Sequence, residues 1–263
     1  MQQLLEVTPI AQRRYPYRAK TAYRLALYAA EAYQSEPIIK AKYGRRFHSF
    51  LIGEYHSRFG LKIADTQAFI LKYRHRHGSH MILAFRGTEG LFRKPADWLT
   101  NLDLALTTVD LLPSLKEGQP MVHRGFLRAY ESIRPGLIAA FTEIEPGHVY
   151  VTGHSLGGAL AILAALDIRM QFPGINVAMY NFGSPRVGDP LFADIYDESV
   201  RNSYRVVHDG DRSPEQPHEG YQHVGKLHVL DRHPYSRYPH HKCEYYLEQL
   251  DKEISQTGVG SAA

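Results

Sequence analysis

The sequence predicts an α/β fold in which a mostly parallel central sheet is flanked by helices. Segments with strand patterns alternate with helical segments along the chain, and this order is typical of parallel strands joined by crossover helices. The chain has 263 residues, of which 44% are hydrophobic and 22% charged. This composition is that of a globular protein with a continuous core. We see no internal repeat, no low-complexity block and no clear linker, so we expect one domain over residues 1–263.

The first half of the chain is predicted to contain one helix and then two strands. Residues 17–34 carry small and apolar side chains at helical spacing, and the Ser-Glu-Pro sequence at residues 35–37 is expected to end this helix. Residues 68–73 and 81–86 are apolar and flank a polar turn at residues 75–80. We interpret them as two strands that are buried on at least one side.

The middle of the chain is predicted to form a helix, a strand and a second helix. Residues 122–143 have a helical pattern, which Pro135 and Gly136 are expected to break into two pieces. A short β-branched strand at residues 148–152 follows. After a turn at residues 153–158, strong helix formers at residues 159–171 predict the next helix.

The last third of the chain is predicted to add two strands and two helices. The strands are expected at residues 176–182 and 203–208, with a helix at residues 191–200 between them. Residues 209–240 are rich in histidine and interrupted by four prolines, so we expect them to be mostly irregular. A final helix is predicted at residues 243–254, followed by a small, polar, mobile tail at residues 255–263.

Charge and composition exclude several classes of protein. The net charge of +4 is mild and its Lys and Arg residues are spread out, so we predict no nucleic-acid partner. The longest apolar stretch is far shorter than the roughly 20 residues of a membrane span. The N-terminus does not resemble a secretory signal. One cysteine excludes an intrachain disulfide and permits a reducing cytosol. We therefore expect a cytoplasmic protein, with non-classical export as the alternative.

Residues 153–157, Gly-His-Ser-Leu-Gly, form a G-x-S-x-G motif between a predicted strand and a predicted helix. This context favours a nucleophile elbow, a strained turn that lifts the Ser155 hydroxyl above the end of the sheet. The two glycines are needed because the backbone on either side comes very close. The helix that follows offers free N–H groups to a developing oxyanion. The alternative is a glycine-rich turn with a serine that has no chemical role.

A serine hydroxyl needs a base that accepts its proton, and the base needs an acid that fixes its tautomer. In this type of fold the chain order is serine, then acid, then histidine, so both partners are expected after Ser155. Metal chemistry is not predicted. The histidines between residues 208 and 241 have irregular spacing and lack paired cysteines or an H-E-x-x-H motif. We interpret these histidines, and also His123 and His154, as structural.

Five segments of the chain resemble the class 3 lipases, the fungal-type triacylglycerol lipase family. The segments are VTGHSLGGALA at residues 151–161, AFRGT at 84–88, DWLTNL at 97–102, VHRGF at 122–126 and NFGSPRVG at 181–188. Together the matches run from about residue 68 to residue 247. The resemblance implies an α/β-hydrolase fold with a lid segment.

The resemblance also implies catalytic roles. Ser155 would be the nucleophile. Asp211 would be the acid, because Pro214 keeps the family's offset, although Arg212 and Ser213 depart from the usual apolar pair. Asp209 remains the alternative acid. His241, shortly before the final helix, would be the base, with the adjacent His240 as its alternative.

The same resemblance assigns the oxyanion hole and the lid. The oxyanion would be held by the N–H groups of Leu156 and Thr88. The lid would span residues 89–96, where Leu91 and Phe92 are apolar among charged neighbours, and Trp98 follows it. We expect these three side chains to contact substrate and the lid to open at a lipid interface. The alternative is an ordinary loop with two core-facing residues.

The function implied is hydrolysis of lipid esters without a metal or organic cofactor, most directly by a triacylglycerol lipase. A phospholipase or galactolipase A1 and a short-chain or feruloyl esterase are the alternatives with the same machinery. From a different class, the chain would be a non-catalytic lipid-binding module, which the complete set of Ser155, Asp211, His241 and Thr88 argues against. The expected partner is a lipid ester at an oil–water or membrane interface; the oligomeric state is left open.

Overall fold

The computed structural model describes residues 14–56, 62–75, 78–87, 105–109, 118–231 and 241–259. The helices are α1 (Ala19–Glu31), α2 (Glu36–Tyr43), α3 (Arg124–Ile144), α4 (Leu156–Gln171), α5 (Pro190–Ser199) and α6 (Cys243–Val259). The strands are β1 (Phe47–His56), β2 (Lys62–His75), β3 (Gly78–Phe85), β4 (Leu106–Thr108), β5 (Met121–His123), β6 (His148–His154), β7 (Asn176–Phe182), β8 (Ser203–His208) and β9 (Lys226–Leu230).

Seven of these strands form one mixed sheet with the order β1-β2-β3-β6-β7-β8-β9. The pairs from β3 to β9 are parallel, whereas β1, β2 and β3 pair in antiparallel fashion. β4 and β5 form a separate two-stranded sheet. The carboxyl ends of β6, β7 and β8 lie at one edge of the sheet because these strands run in the same direction. Ligands and catalytic residues of open α/β sheets collect at that edge.

Helices cover both faces of the sheet. One face packs against α3, α4 and α5, and the other against α1 and α6. β3 shows how a strand is buried on both sides: Met81, Leu83 and Phe85 point into the first core, and Ile82 and Ala84 into the second. Near-continuous burial of this kind is expected for a strand in the middle of an α/β sheet.

The predicted break at Pro135 is wrong, because α3 continues through it from Arg124 to Ile144. Pro135 and Gly136 lie on the exposed side of the helix, whereas Ile133 and Leu137 are buried beside them. A proline inside a helix costs about 3 kcal/mol. Ten buried residues on the other side of α3 contribute more than that, since each large side chain contributes about 1.5–3 kcal/mol. Packing therefore outweighs the local cost.

Five elements were missed, among them the short strands β4 and β5, and several boundaries shift. The first of them, α2, begins at Glu36, so Pro37 lies in its first turn. Proline is tolerated there because the first N–H groups of a helix have no internal partner. β1 and the edge strand β9, within the stretch predicted to be irregular, were also missed. α4 starts at Leu156, three residues before its predicted start. α6 continues to Val259, five residues beyond the predicted end of the last helix at residue 254.

No helix in the described part of the chain combines the length and the apolar character needed to cross a bilayer.

Candidate active site

Ser155 lies in a strained turn between β6 and α4. Its backbone has φ 57° and ψ −126°, a region that residues other than glycine avoid because of steric conflict at Cβ. Such a conformation costs about 1–3 kcal/mol and persists only where the surroundings enforce it. Here the Ser155 N–H donates to the carbonyl oxygen of Phe182, at 3.0 Å, which ties the turn to the end of β7. The geometry is that of a nucleophile elbow.

Glycines on both sides of Ser155 permit this turn. A Cβ atom at Gly153 would lie 2.1 Å from the carbonyl oxygen of Gly157. A Cβ atom at Gly157 would lie 2.4 Å from the carbonyl oxygen of Phe85, at the end of β3. Real Cβ atoms do not approach backbone oxygens this closely. The start of α4 is therefore pressed against β3 and β6 at the point where Ser155 leaves the sheet.

We expect Gly157→Ala to destabilise the fold by about 3 kcal/mol or more, because the new methyl group forces α4 away from a backbone oxygen that cannot move freely. Urea unfolding measures this change. Gly174→Ala is the matched control, since a Cβ there meets nothing within 4 Å and should change stability by no more than about 0.5 kcal/mol. Equal stability of the two variants would contradict the close packing described here.

The structure brings together Ser155, His241 and Asp211. His241 Nε2 lies 2.7 Å from Ser155 Oγ, and His241 Nδ1 lies 2.9 Å and 3.1 Å from the two carboxylate oxygens of Asp211. The His241 side chain is 7% exposed, and the Asp211 side chain is fully buried. The alternative acid, Asp209, is exposed, whereas His240 lies outside the described residues.

The Asp211 carboxylate has two further donors. Tyr246 in α6 donates its hydroxyl to Oδ2, and the Ser213 N–H donates to Oδ1 at 2.9 Å. Burial by itself would raise the pKa of Asp211. The charge of His241 and the hydrogen bonds from His241, Tyr246 and Ser213 together overcome this effect and hold its pKa below the ordinary value. Asp211 is therefore ionised and able to balance a positive charge on His241.

His154 was interpreted as structural from the sequence, and the structure places it directly against His241. Its Nε2 lies 2.7 Å from the main-chain oxygen of His241, and its Nδ1 lies 3.0 Å from the Tyr33 hydroxyl. Its ring also lies beside that of Tyr246 in α6, with centroids 5.9 Å apart. Sequence patterns placed His154 next to Ser155 but did not predict its contacts with Tyr33 and His241, or the contact of Tyr246 with Asp211, because each contact joins residues far apart in the chain.

Burial and the neighbouring His241 lower the pKa of His154 to about 3. In the unfolded chain this imidazole takes up a proton near pH 6.5. The folded protein therefore loses stability as the pH falls from 6.5 towards 3, by about 1.4 kcal/mol per pH unit from this residue. We expect urea unfolding between pH 7 and pH 5 to show a loss about 2 kcal/mol smaller in His154→Gln than in the unchanged protein. Equal losses would show that His154 is protonated when folded.

The predicted oxyanion hole is described in part. Leu156 is the first residue of α4, where helix N–H groups have no internal partner, and its side chain is buried. Thr88, the second predicted donor, lies outside the described residues, as do the predicted lid residues Leu91, Phe92 and Trp98. Gly87, immediately before Thr88, is described and buried: a Cβ atom there would lie 2.2 Å from the Tyr33 hydroxyl oxygen and 2.7 Å from the His154 carbonyl oxygen.

Among the described residues, no three His, Cys, Asp or Glu side chains are grouped so that they could hold a metal ion. His223 illustrates how the histidines of this region are used. Its Nε2 lies 2.7 Å from the carbonyl oxygen of Pro214, so it ties two parts of one loop together.

The family model described as Lipase (class 3) matches residues 82–220 of the chain, which is more than half of it. The chain belongs to the class 3 lipase family. A solved lipase structure from Rhizopus microsporus var. chinensis is 26% identical, with a TM-score of 0.62 over 94% of this chain and 90% of that one. The α/β-hydrolase fold expected from the resemblance is thereby confirmed.

Curated relatives of the chain include proteins that are named as secreted lipases. Secreted mono- and diacylglycerol lipase 1 of Fusarium solani is 36% identical over 134 residues, which are 49% of this chain and 38% of that protein. Secreted mono- and diacylglycerol lipase MDL3 of Malassezia globosa is 31% identical over 185 residues, which are 63% of this chain and 60% of that protein. The chain thus spans less than two thirds of the length of either relative.

These relatives overturn the expected cytoplasmic location. Matching lipases from three fungal genera are named as secreted, which points to the extracellular side. The single cysteine was weak evidence, because a domain that buries a large core needs no disulfide in order to be stable in an oxidising compartment.

Proposed function

We propose that this class 3 lipase hydrolyses carboxylic esters of lipids, with acylglycerols as the substrate class, through an acyl-enzyme on Ser155. One observation carries the proposal: the Ser155 hydroxyl, held in a strained elbow, lies 2.7 Å from His241 Nε2, while Nδ1 of the same ring contacts the Asp211 carboxylate. Nucleophile, base and orienting acid in this order perform acyl transfer on several unrelated folds. The names of the relatives favour acylglycerols.

In the first half-reaction, Ser155 Oγ bonds to the ester carbonyl carbon as its proton passes to His241 Nε2. The carbonyl oxygen becomes an oxyanion, and the N–H groups of Leu156 and Thr88 are assigned to it. Removing one such donor typically costs about 10²–10³ in kcat. When the intermediate collapses, the carbon–oxygen bond to the alcohol breaks, and His241 Nε2 donates the proton that it took from Ser155 to the alcohol oxygen.

In the second half-reaction, water replaces the alcohol. Its oxygen bonds to the acyl carbon while His241 Nε2 accepts one of its protons. Collapse then breaks the bond between Ser155 Oγ and the acyl carbon, the serine recovers the proton and the fatty acid leaves. Asp211 stays ionised throughout, since its hydrogen bonds and the charge of His241 hold its pKa below the ordinary value. It keeps the imidazole oriented and stabilises its positive form.

We expect a steep rise in the rate of p-nitrophenyl ester hydrolysis when long-chain substrate exceeds its solubility limit. The segment at residues 89–96 carries apolar side chains at Leu91 and Phe92 among charged ones, as a lid that exchanges water for lipid requires. Initial rates below and above the limit, over several acyl lengths, measure this. Smooth saturation with a preference for short chains would instead indicate a plain esterase.

A second assay separates the headgroup alternatives. Triolein and phosphatidylcholine, each dispersed at equal surface area, are compared by release of fatty acid. Faster release from triolein supports the acylglycerol assignment, and faster release from phosphatidylcholine supports a phospholipase A1 with the same catalytic residues. Ser155→Ala is the control in both assays, because it removes the attacking oxygen.

A further inference from the structure

His154, the last residue of β6, joins two segments that the catalytic machinery needs. On one side it contacts Tyr33, just after α1, and on the other side it contacts the main chain of His241, just before α6. Its side chain is 1% exposed. Such complete burial of an imidazole is costly unless both of its nitrogens have partners, and here both have one.

The partners define the tautomer of His154. A main-chain carbonyl oxygen only accepts hydrogen bonds, so the Nε2 atom that faces His241 must carry the proton. Nδ1 is then a lone-pair acceptor, and the Tyr33 hydroxyl donates to it. A neutral imidazole with the proton on Nε2 satisfies both contacts at once. A doubly protonated ring would instead donate to the Tyr33 hydroxyl oxygen, but burial lowers the pKa of His154 to about 3 and so keeps the ring neutral.

We propose that neutral His154 is a positioning residue: its Nε2–H holds the main-chain oxygen of His241, and Tyr33 fixes its tautomer, so that the base reaches Ser155 at the catalytic distance. The inference rests on the proposed function, because it concerns the same reaction. His241 is carried by the turn before α6 and not by a strand. A base on such a turn needs a fixed main-chain anchor, since a displacement of 1 Å can cost about 10² in rate.

The contact between the rings of His154 and His241 explains why a neutral His154 suits the reaction. The imidazoles of His154 and His241 have centroids 4.7 Å apart and planes inclined by 34°. A positive charge on His154 would oppose the positive charge that His241 acquires in each half-reaction. Burial keeps the pKa of His154 at about 3, so the ring stays uncharged through the neutral range.

Tyr33 connects the same anchor to the oxyanion side of the site. Its hydroxyl oxygen occupies the space that a side chain at Gly87 would need, and Gly87 precedes the predicted donor Thr88. The Tyr33 hydroxyl therefore contacts both Gly87, just after β3, and the His154 ring that holds the base. We infer that its loss affects catalysis and not the binding of substrate.

The test uses the full chain with p-nitrophenyl butyrate below its solubility limit, and a fluorophosphonate to count active sites. His154→Leu removes the donor, His154→Gln keeps an amide N–H near the Nε2 position, and His218→Leu, at an exposed histidine, is the matched control. We expect kcat per titrated site to fall about 10²-fold in His154→Leu with KM unchanged. His154→Gln should recover most of that loss, to within about fivefold of the unchanged protein, and His218→Leu should match it.

A merely structural role would lower the fraction of titratable sites and leave kcat per site unchanged, which overturns the proposal. It is also overturned when His154→Leu is slow but His154→Gln is no faster. If His154→Leu does not fold, Tyr33→Phe decides, with Tyr23→Phe as control: about a tenfold lower kcat per site supports the proposal, and an unchanged value overturns it. If the unchanged protein neither hydrolyses esters nor is labelled at Ser155, the proposed function itself fails, and this inference with it.

Discussion

Ser155→Ala should lower kcat for ester hydrolysis by about 10⁴–10⁶-fold and abolish labelling by fluorophosphonates. Among the described contacts of His241 Nε2, the hydroxyl that could act as nucleophile is that of Ser155, whose Oγ lies 2.7 Å away. The loss is large because the alanine variant lacks this oxygen. Whatever hydrolysis remains would come from the oxyanion donors and substrate binding alone. Rates with p-nitrophenyl butyrate and mass spectrometry of the labelled protein measure the two effects.

Ser155→Gly separates the loss of chemistry from a loss of fold. The backbone φ of 57° at this position is strained for alanine and serine but accessible to glycine. We therefore expect Ser155→Gly to be as inactive as Ser155→Ala and more stable to urea than the unchanged protein, by about 1 kcal/mol. An active Ser155→Gly variant would contradict the assignment of the nucleophile.

Asp211→Asn should lower kcat by about 10⁴-fold with little change in KM, the size of effect known for the same change in another serine hydrolase. The carboxylate accepts hydrogen bonds at both oxygens, from Ser213 N–H at one and from the Tyr246 hydroxyl at the other. In the amide, the remaining oxygen stays with Ser213 N–H and the new NH₂ group faces His241. His241 must then accept at Nδ1 and carry its proton on Nε2, where it cannot take the proton of Ser155.

Asp209→Asn is the matched control for this prediction, since it makes the same chemical change two residues earlier. Asp209 is exposed, so we expect its kcat to stay within about twofold of the unchanged protein. A large loss in Asp209→Asn with full activity in Asp211→Asn would transfer the role of the acid to Asp209. Thermal unfolding of both variants shows whether either result reflects a damaged fold.

Local patterns predicted the elements whose sequence and packing agree. β7 and β8 have their predicted bounds, and the helix expected at residues 17–34 is observed as Ala19–Glu31. The errors lie where packing overrides local preference. α3 passes through Pro135 because the opposite side of the helix is buried. β9 was hidden in a stretch rich in proline and histidine, and pairing with β8 forms it.

The candidate site also has one part that local patterns predicted and another part that they did not. The G-x-S-x-G motif predicted the elbow at Ser155, because a strand, a tight turn and a helix start are all local features. The sequence left two choices open, between Asp209 and Asp211 as the acid and between His240 and His241 as the base. Neighbouring residues of the same type look alike in a sequence, and only the direction of each side chain distinguishes them.

By itself, therefore, the amino-acid sequence determined the fold class, the family and the candidate nucleophile, since these depend on periodicity and on short motifs. The tertiary structure decided which carboxylate contacts the imidazole of His241, and it brought Tyr33, His154 and Tyr246 into the site. Those contacts join residues separated by 35 to 121 positions. Such pairs meet only after helices from both ends of the chain pack on the same face of the sheet, and no local pattern encodes that meeting.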